Sequence, residues 1–396
     1  MEQHKTMEQH KIFESGKFVG RKQEIDFVKE AVRARKKNVI VFEGDRGVGK
    51  TSLLLNLFRI LGAEGPGVKP FFLSLFPYQA NEFEKQKNIW IKDEKFEVDQ
   101  ITTLLDQIAS YFEISRVTTE DPDTQKEYLA RDLAHLPSDN LPVLFVDSIY
   151  ECDPRLREQL EKYVLLPFIS SERSILILSG RGSVPAWSHP ALRFAHVEKL
   201  PPFEGEWIFK QLEKLGSIHQ AIHQEIADYS AGYPLMIRLL GQAKGTPRDE
   251  LNNAIDVLLS ETLLRESYAA DFSKEEQSQI RLHIEKLSLV SLPFRKIEVE
   301  NYIFEGDSER SSKMTTLIET LLRSHIMRYE NGGYQLNESI VGPVKSYLGL
   351  PDQKQKQEKY IVLINQNYHD LAEKYPAASS RYTNLIDQLK PEHAHL

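Results

Sequence analysis

The sequence predicts an α/β fold: a parallel sheet with helices on both faces, then an all-helical region, a helix–helix–hairpin unit and a short helical tail. Three observations predict it. Apolar runs at 38–42, 68–76, 142–146 and 174–178 alternate with helical patterns, as strands buried on both faces of a parallel sheet do. A glycine-rich stretch, 44–49, separates the first run from the helix after it. Beyond Pro201-Pro202 the β-branched runs stop, and the pattern is helical to about Leu289.

The chain has 396 residues, of which 41% are hydrophobic and 27% charged, enough apolar material for a full core and too much for wholesale disorder. At roughly 100–200 residues per domain, two to four domains are expected. Lys and Arg number 50 against 58 Asp and Glu, a formal charge of −8, so nucleic acid is not an expected partner on bulk charge. A single cysteine, Cys152, excludes an internal disulfide and a multi-cysteine metal site, and reads as a packing residue. No stretch approaches the roughly 20 apolar residues of a membrane helix, and the N-terminus lacks an apolar signal core. No membrane and a cytoplasmic location are the expectation. The doubled MEQHK at the start suggests a second start codon or an added remnant, and residues 1–12 are set aside.

Each element follows in order. Residues 21–36 form a charged helix with Ile25, Val28, Ala31 and Val32 at helical spacing. The strand at 38–42, the glycine loop and a helix to about Leu61 come next, then a strand at 68–76 closed by Pro77. An irregular insertion precedes helices near 98–112 and 125–136. The strand at 142–146 ends in Asp147, a helix spans about 154–168, and the strand at 174–178 ends in Ser179-Gly180-Arg181. A weaker strand surrounds Val197–Leu200. Later, 296–304 and 311–324 read as helices, and two short strands flank Asn331-Gly332-Gly333, a strong hairpin turn. That is the outline of a winged helix. In the tail, Ile361, Ile364, Tyr368, Leu371 and Tyr375 step by 3, 4, 3 and 4 and so share a face. The five expected parts are a flexible N-terminus (1–17), a P-loop nucleotide-binding domain (18–202), a helical lid (203–289), a winged helix (290–350) and the tail (351–396).

Gly44-Asp45-Arg46-Gly47-Val48-Gly49-Lys50-Thr51 matches G-x-x-x-x-G-K-[ST] in full. The glycines let backbone N–H groups turn inward around phosphate oxygens, and the following helix offers its positive end to the same anion. Lys50 reaches the β- and γ-phosphates, and the Thr51 hydroxyl is a ligand for Mg²⁺. Gly44, Arg46, Gly47, Val48, Gly49, Lys50, Thr51 and Ser52 are therefore the candidate contacts to ATP or ADP. Asp147 fits the acidic partner that holds Mg²⁺. Ser148 stands where an adjacent second acid would be, and Glu151 is the candidate water-polarising carboxylate. Arg181 follows the next buried strand, where strand ends converge on a ligand crevice, and can touch the γ-phosphate. The candidate catalytic set is Lys50, Asp147, Glu151 and Arg181.

With Phe18-Val19-Gly20-Arg21 before the first helix, the loop, Asp147 to Glu151, Ser179-Gly180-Arg181, then Gly232-Tyr233-Pro234 and a winged helix, the chain resembles the STAND branch of the AAA+ P-loop NTPases. That branch includes the NB-ARC and NACHT proteins, and the resemblance covers about residues 18–350. It implies that Val19, Gly20 and Arg21 lie near the adenine and ribose, and that Pro234 packs on the base or sugar. It likens Ser179 and Arg181 to a sensor strand ending in Thr-Ser-Arg. Ser148 and Tyr150 depart from the NACHT pattern Asp-Gly-x-Asp-Glu, which implies slow hydrolysis. Asn337 and Glu338 stand where plant relatives carry Met-His-Asp, implying a weak lid contact to the β-phosphate.

The resemblance implies an ATP/ADP switch: ADP holds the lid closed, and exchange for ATP favours an open form competent to make a homo-oligomer. About 17 residues precede the core and about 46 follow it, so a separate effector or sensor protein is the expected partner, by analogy in a bacterial signalling or defence system. The alternative is an AAA+ ATPase that engages DNA through its winged helix. Across 291–350 seven basic residues face eight acidic ones, which favours a lid over a DNA reader. The tail's apolar face predicts a protein-like partner, docking on the chain's own winged helix being the competing outcome.

Overall fold

The computed structural model describes residues 18–36, 38–63, 67–75, 98–114, 121–135, 140–150, 152, 154–171, 173–181, 187–216, 222–266, 273–290 and 293–389. Two compact units divide the chain, Met1–Lys214 and Leu215–Leu396. The expected N-terminus (1–17), the last residue of the expected strand 68–76, the insertion that begins at 78 as far as residue 97, and Glu151 lie outside the described residues.

The first unit begins with α1 (Lys22–Ala34), which buries Val28 and Val32 and ends where the Arg35 N–H, on a left-handed backbone, closes on the Val32 carbonyl at 3.1 Å. There follow β1 (Asn38–Glu43), α2 (Lys50–Ala63), β2 (Val68–Ser74), α3 (Val98–Tyr111) and α4 (Pro122–Leu133). The start of α4 is set by Pro122 in the first turn and by the Asp121 carboxylate, which accepts the Thr124 N–H at 2.9 Å. Next come β3 (Leu141–Asp147), α5 (Pro154–Leu160), a π turn (Glu161–Leu165), α6 (Leu166–Ser170) and β4 (Ile175–Gly180). The unit closes with α7 (Pro190–Arg193), β5 (His196–Lys199) and α8 (Glu206–Lys214).

The five strands form one parallel sheet in the order β2-β3-β4-β1-β5. Every residue of β3 is buried, because successive side chains enter two different cores. Leu144 and Val146 join Leu176 and Leu178 of β4 in the core built with α3, α4, α5 and α6. On the opposite face, Phe145 stacks on Phe72 at 6.1 Å, and Phe58 of α2 meets both rings edge-on. Burial of such side chains stabilises by about 1.5–3 kcal/mol each, and β4, at the centre of the sheet, is buried along its whole length as well.

The second unit is helical first: α9 (His223–Ser230), α10 (Pro234–Gly241), α11 (Pro247–Glu266) and α12 (Lys274–Ser288), the last opened by a capping box between Ser273 and Glu276. Then come α13 (Lys296–Ile303), α14 (Arg310–Arg323) and the antiparallel pair β6 (Met327–Glu330) and β7 (Gly333–Leu336). Asn331 and Gly332 take φ 53° and 77°, the left-handed pair that a tight hairpin needs. Phe294 adds an antiparallel bridge to Tyr334, a third short β element that period-counting does not show. The unit ends with α15 (Glu338–Leu348), α16 (Lys354–Lys374) and α17 (Ser379–Gln388).

The tail is docked on its own unit, so the expected partner face is already covered. Tyr360, Ile364, Asn367, Tyr368 and Leu371 are the buried residues of α16, which packs on α13. Ile361 and Tyr375, counted in the sequence stripe, are half-buried, because the covered face is rotated toward Tyr360 and Asn367. The Asn367 amide donates to the Glu298 carbonyl at 2.7 Å. Arg381 of α17 forks onto the Glu298 carboxylate at 2.7 and 2.9 Å and onto the Pro293 carbonyl at 3.0 Å. A charged side chain from the tail thus neutralises an acid that would otherwise be buried alone. No helix among the described residues is long and apolar enough to cross a membrane.

Candidate functional site

The glycine loop leaves the end of β1 and runs straight into α2. Gly44, Gly47 and Gly49 take φ 152°, 78° and 97°, conformations costly for any residue with a Cβ. At Gly44 a Cβ would also lie 2.9 Å from the Leu200 carbonyl oxygen. Arg46, Val48 and Lys50 are buried, and Ser52 is half-buried in the first turn of α2. The Lys50 amine curls back over the loop and donates to the Gly44 and Asp45 carbonyls at 2.6 and 3.0 Å. The loop is held as a closed ring around its own lysine, at the positive end of a 14-residue helix.

Asp147 ends β3 beside this ring. The parallel register pairs Val146 with Leu178, so the next residues outward, Asp147 and Ser179, are neighbours. The Ser179 hydroxyl donates to Asp147 Oδ1, while Thr51 Oγ1 donates to Asp147 Oδ2 at 2.9 Å. Ser179 Oγ itself accepts the Ser148 N–H at 3.3 Å, and the Ser179 carbonyl accepts the Ile149 N–H at 2.9 Å. Both carboxylate oxygens are thereby fixed in a site 1% exposed. Ser148 is buried and left-handed at φ 64°. Gly180 is a necessity of packing, since a Cβ there would overlap the ring of Tyr150. Arg181, just beyond β4, is half-buried.

Val19, Gly20 and Arg21 are half-buried ahead of α1, with Gly20 and Arg21 both left-handed at φ 71° and 60°. The Arg21 guanidinium donates from Nη2 to the carbonyls of Val48 and Pro201, at 3.0 and 2.6 Å. It lies 5.0 Å from the ring centre of Phe203. Burial lowers its pKa, and Glu24, within 3.5 Å, pulls it back up. Phe203 and the Pro201 carbonyl were invisible as site residues in the sequence, where Pro201-Pro202 reads only as a boundary.

Pro234 belongs to the second unit. It is the first residue of α10, after Ala231 and Gly232 turn the chain at φ 49° and 75°. Asn337 is buried, and its amide donates to the His325 carbonyl at 2.5 Å, so that group is already spent inside the second unit. Glu338 lies 3.5 Å from the Gln335 amide.

A parallel sheet in this order, a glycine loop from β1 into a helix, and a β3 acid meeting that helix's first hydroxyl together define a P-loop NTPase fold. Solved structures similar to the chain include a Walker-type ATPase of Pyrococcus abyssi, at 16% identity over 83% of this chain and 95% of that one, TM-score 0.48. The Orc1 protein of Aeropyrum pernix, solved in complex with DNA, is 13% identical over 86% and 94%, TM-score 0.46. A STAND protein of Pyrococcus horikoshii with a tetratricopeptide repeat sensor is 15% identical over 93% of this chain and 48% of that one, TM-score 0.36. No protein-family model matches the chain, and comparison with curated proteins gives no match.

Proposed function

We propose that the chain is an ATP/ADP-binding molecular switch of STAND type that hydrolyses ATP slowly. The observation that carries this is the 2.9 Å contact between Thr51 and Asp147, which brings a loop hydroxyl and a strand-end acid, 96 residues apart, to one point beside the lysine ring. Hard oxygen donors of this kind suit Mg²⁺, which keeps several waters and takes one or two protein oxygens. Thr51 and Asp147 would hold the ion, with Ser179 fixing the Asp147 carboxylate. Bound there, Mg²⁺ would neutralise charge on the phosphate oxygens. Lys50 would exchange its two carbonyl partners for phosphate oxygens, and the N–H groups of Gly47 to Ser52 would line the rest of the anion.

Slow turnover follows from Ser148. Its hydroxyl cannot serve as a carboxylate base, and Glu151 is the acid that remains for polarising water. Arg181 would touch the γ-phosphate and so distinguish ATP from ADP. Val19, Gly20 and Pro234 are proposed to border the base and ribose. The five-part division at 18, 203, 290 and 351 is proposed as core, lid, winged helix and tail. Output would pass to a homo-oligomer or to a separate effector or sensor protein. The winged helix is proposed as a lid element, because two of its bases are already paired: Lys313 with Asp307 at 2.5 Å and Arg328 with Glu330 at 2.9 Å.

Titration of Lys50→Ala with Mg·ATP and Mg·ADP tests the reading. Loss of charge-assisted bonds worth about 1.5–3 kcal/mol should weaken both nucleotides by roughly tenfold or more. Equal affinity in the wild type and the variant overturns it.

A further inference from the structure

We propose that Arg21 is a positioning residue for phosphate: it acts through the backbone of the glycine loop and does not read the base or ribose. The proposal rests on the nucleotide-binding reading of that loop. Three sets of contacts carry it. The first is the fork itself, with Arg21 Nη2 on the Val48 carbonyl at 3.0 Å and on the Pro201 carbonyl at 2.6 Å. The second is the anchoring of both acceptors. The Leu200 N–H donates to the Glu43 carbonyl at 2.8 Å, which ties the segment before Pro201 to the end of β1. The Val48 side chain is 1% exposed. The third is the fit around the guanidinium, whose side chain is 6% exposed. Gly20 lets Phe203 close on it, since a Cβ at Gly20 would stand 3.1 Å from the Phe203 ring.

The consequence for the loop is a matter of peptide geometry. Val48 sits between Gly47 and Gly49, whose backbones at φ 78° and 97° are the least constrained in the loop. In a trans peptide the carbonyl of one residue and the N–H of the next point in opposite directions. Holding the Val48 carbonyl toward Arg21 therefore aims the Gly49 N–H the opposite way, and fixes one of the donors an anion needs. Without the fork, that peptide turns about the Val48 ψ and the Gly49 φ, and the glycine side resists little. A lysine keeps the charge and can reach two carbonyls, as Lys50 does, but its freely rotating ammonium does not fix their directions as a planar guanidinium does. The side chain thus prepares the loop before any ligand arrives.

The test compares the full chain with Arg21→Ala and Arg21→Lys, using two probes: Mg·ADP, and inorganic tripolyphosphate, which has phosphates but no base or ribose. Kd is measured by calorimetry or by displacement of a fluorescent ADP, with a melting curve for each protein. The expected result is that Arg21→Ala weakens both probes by the same factor, about tenfold, with Arg21→Lys in between. If ADP weakens and tripolyphosphate does not, Arg21 reads the base or ribose and the proposal fails. If the melting temperature falls while both affinities hold, the residue only packs, and the proposal fails again. Should Arg21→Ala not fold, Arg21→Lys decides by the same two criteria. A wild type that binds neither probe overturns the nucleotide reading itself, an outcome separate from a wild type that binds both and a variant that is unchanged.

Discussion

Arg381→Ala should destabilise the second unit by far more than a surface substitution does. Glu298 is 1% exposed on its side chain, and Arg381 supplies two of its charge-assisted bonds, and its only ion pair among those described, from α17. Breaking a buried pair by removing one partner costs about 3–5 kcal/mol, because the other charge stays buried. Two features reduce that figure here. Arg381 is 39% exposed, so its side of the pair is screened, and the Arg295 N–H still donates to Glu298 Oε2 at 2.8 Å. About 2–3 kcal/mol is the resulting expectation. In a unit of this size that lowers the melting temperature by roughly 4–12 °C. Differential scanning calorimetry of the full chain measures it, and Glu298→Gln on the Arg381→Ala background supplies the control. The double variant carries no charge at position 298 and should melt above Arg381→Ala alone. An Arg381→Ala transition at the wild-type temperature, or a double variant that melts lowest of all, would refute the account of the tail as an ion-paired part of the second unit.

Two further outcomes are expected. Gly180→Ala should destabilise the first unit by about 1–3 kcal/mol in a denaturant titration, since its Cβ would stand 2.7 Å from Tyr150 Cβ and overlap the ring beyond it. His283 packs 4.7 Å from the Phe304 ring, and burial first, then Lys286, pushes its pKa down to about 4. Its folded pKa lies below its unfolded value near 6.5, so the unfolded chain takes up the proton first. The stability it contributes is full above pH 6.5 and drains away as pH falls toward 4. A urea midpoint measured across that window should fall more steeply for wild type than for His283→Gln, and parallel curves would count against it.

The parts legible in the sequence are those in which one physical requirement acts on neighbouring residues. The runs 142–146 and 174–178 are continuous because both faces of a parallel sheet are covered, and β3 and β4 fall on them. The loop is legible because a backbone cradle needs its glycines at fixed spacing. What stayed hidden depends on register between distant segments. Ser179 meets Asp147 only because β3 and β4 pair as they do, and Arg21 finds Pro201 only after β5 has brought the chain back beside β1. The tail shows the same limit. Its 3-4-3-4 apolar stripe announced a covered face correctly but not what covers it, and Asn367, a polar residue outside the stripe, is buried because its amide serves the Glu298 carbonyl.

The π turn between α5 and α6 works as a phase corrector. Leu156 and Phe168, both buried in the same core, are separated by twelve steps, which an unbroken α-helix at about 100° per residue would place about 120° apart. One wide turn absorbs an extra residue and rotates the helix back by about 100°, so that Phe168 returns to within about 20° of Leu156 and the stripe stays on one core. The same widening keeps Glu161 buried, where its carboxylate accepts the His189 N–H at 2.8 Å. A helix wound uniformly could satisfy its first half or its second. The interrupted one satisfies both, and its irregular turn becomes the fastening for the segment that carries the chain from β4 toward β5.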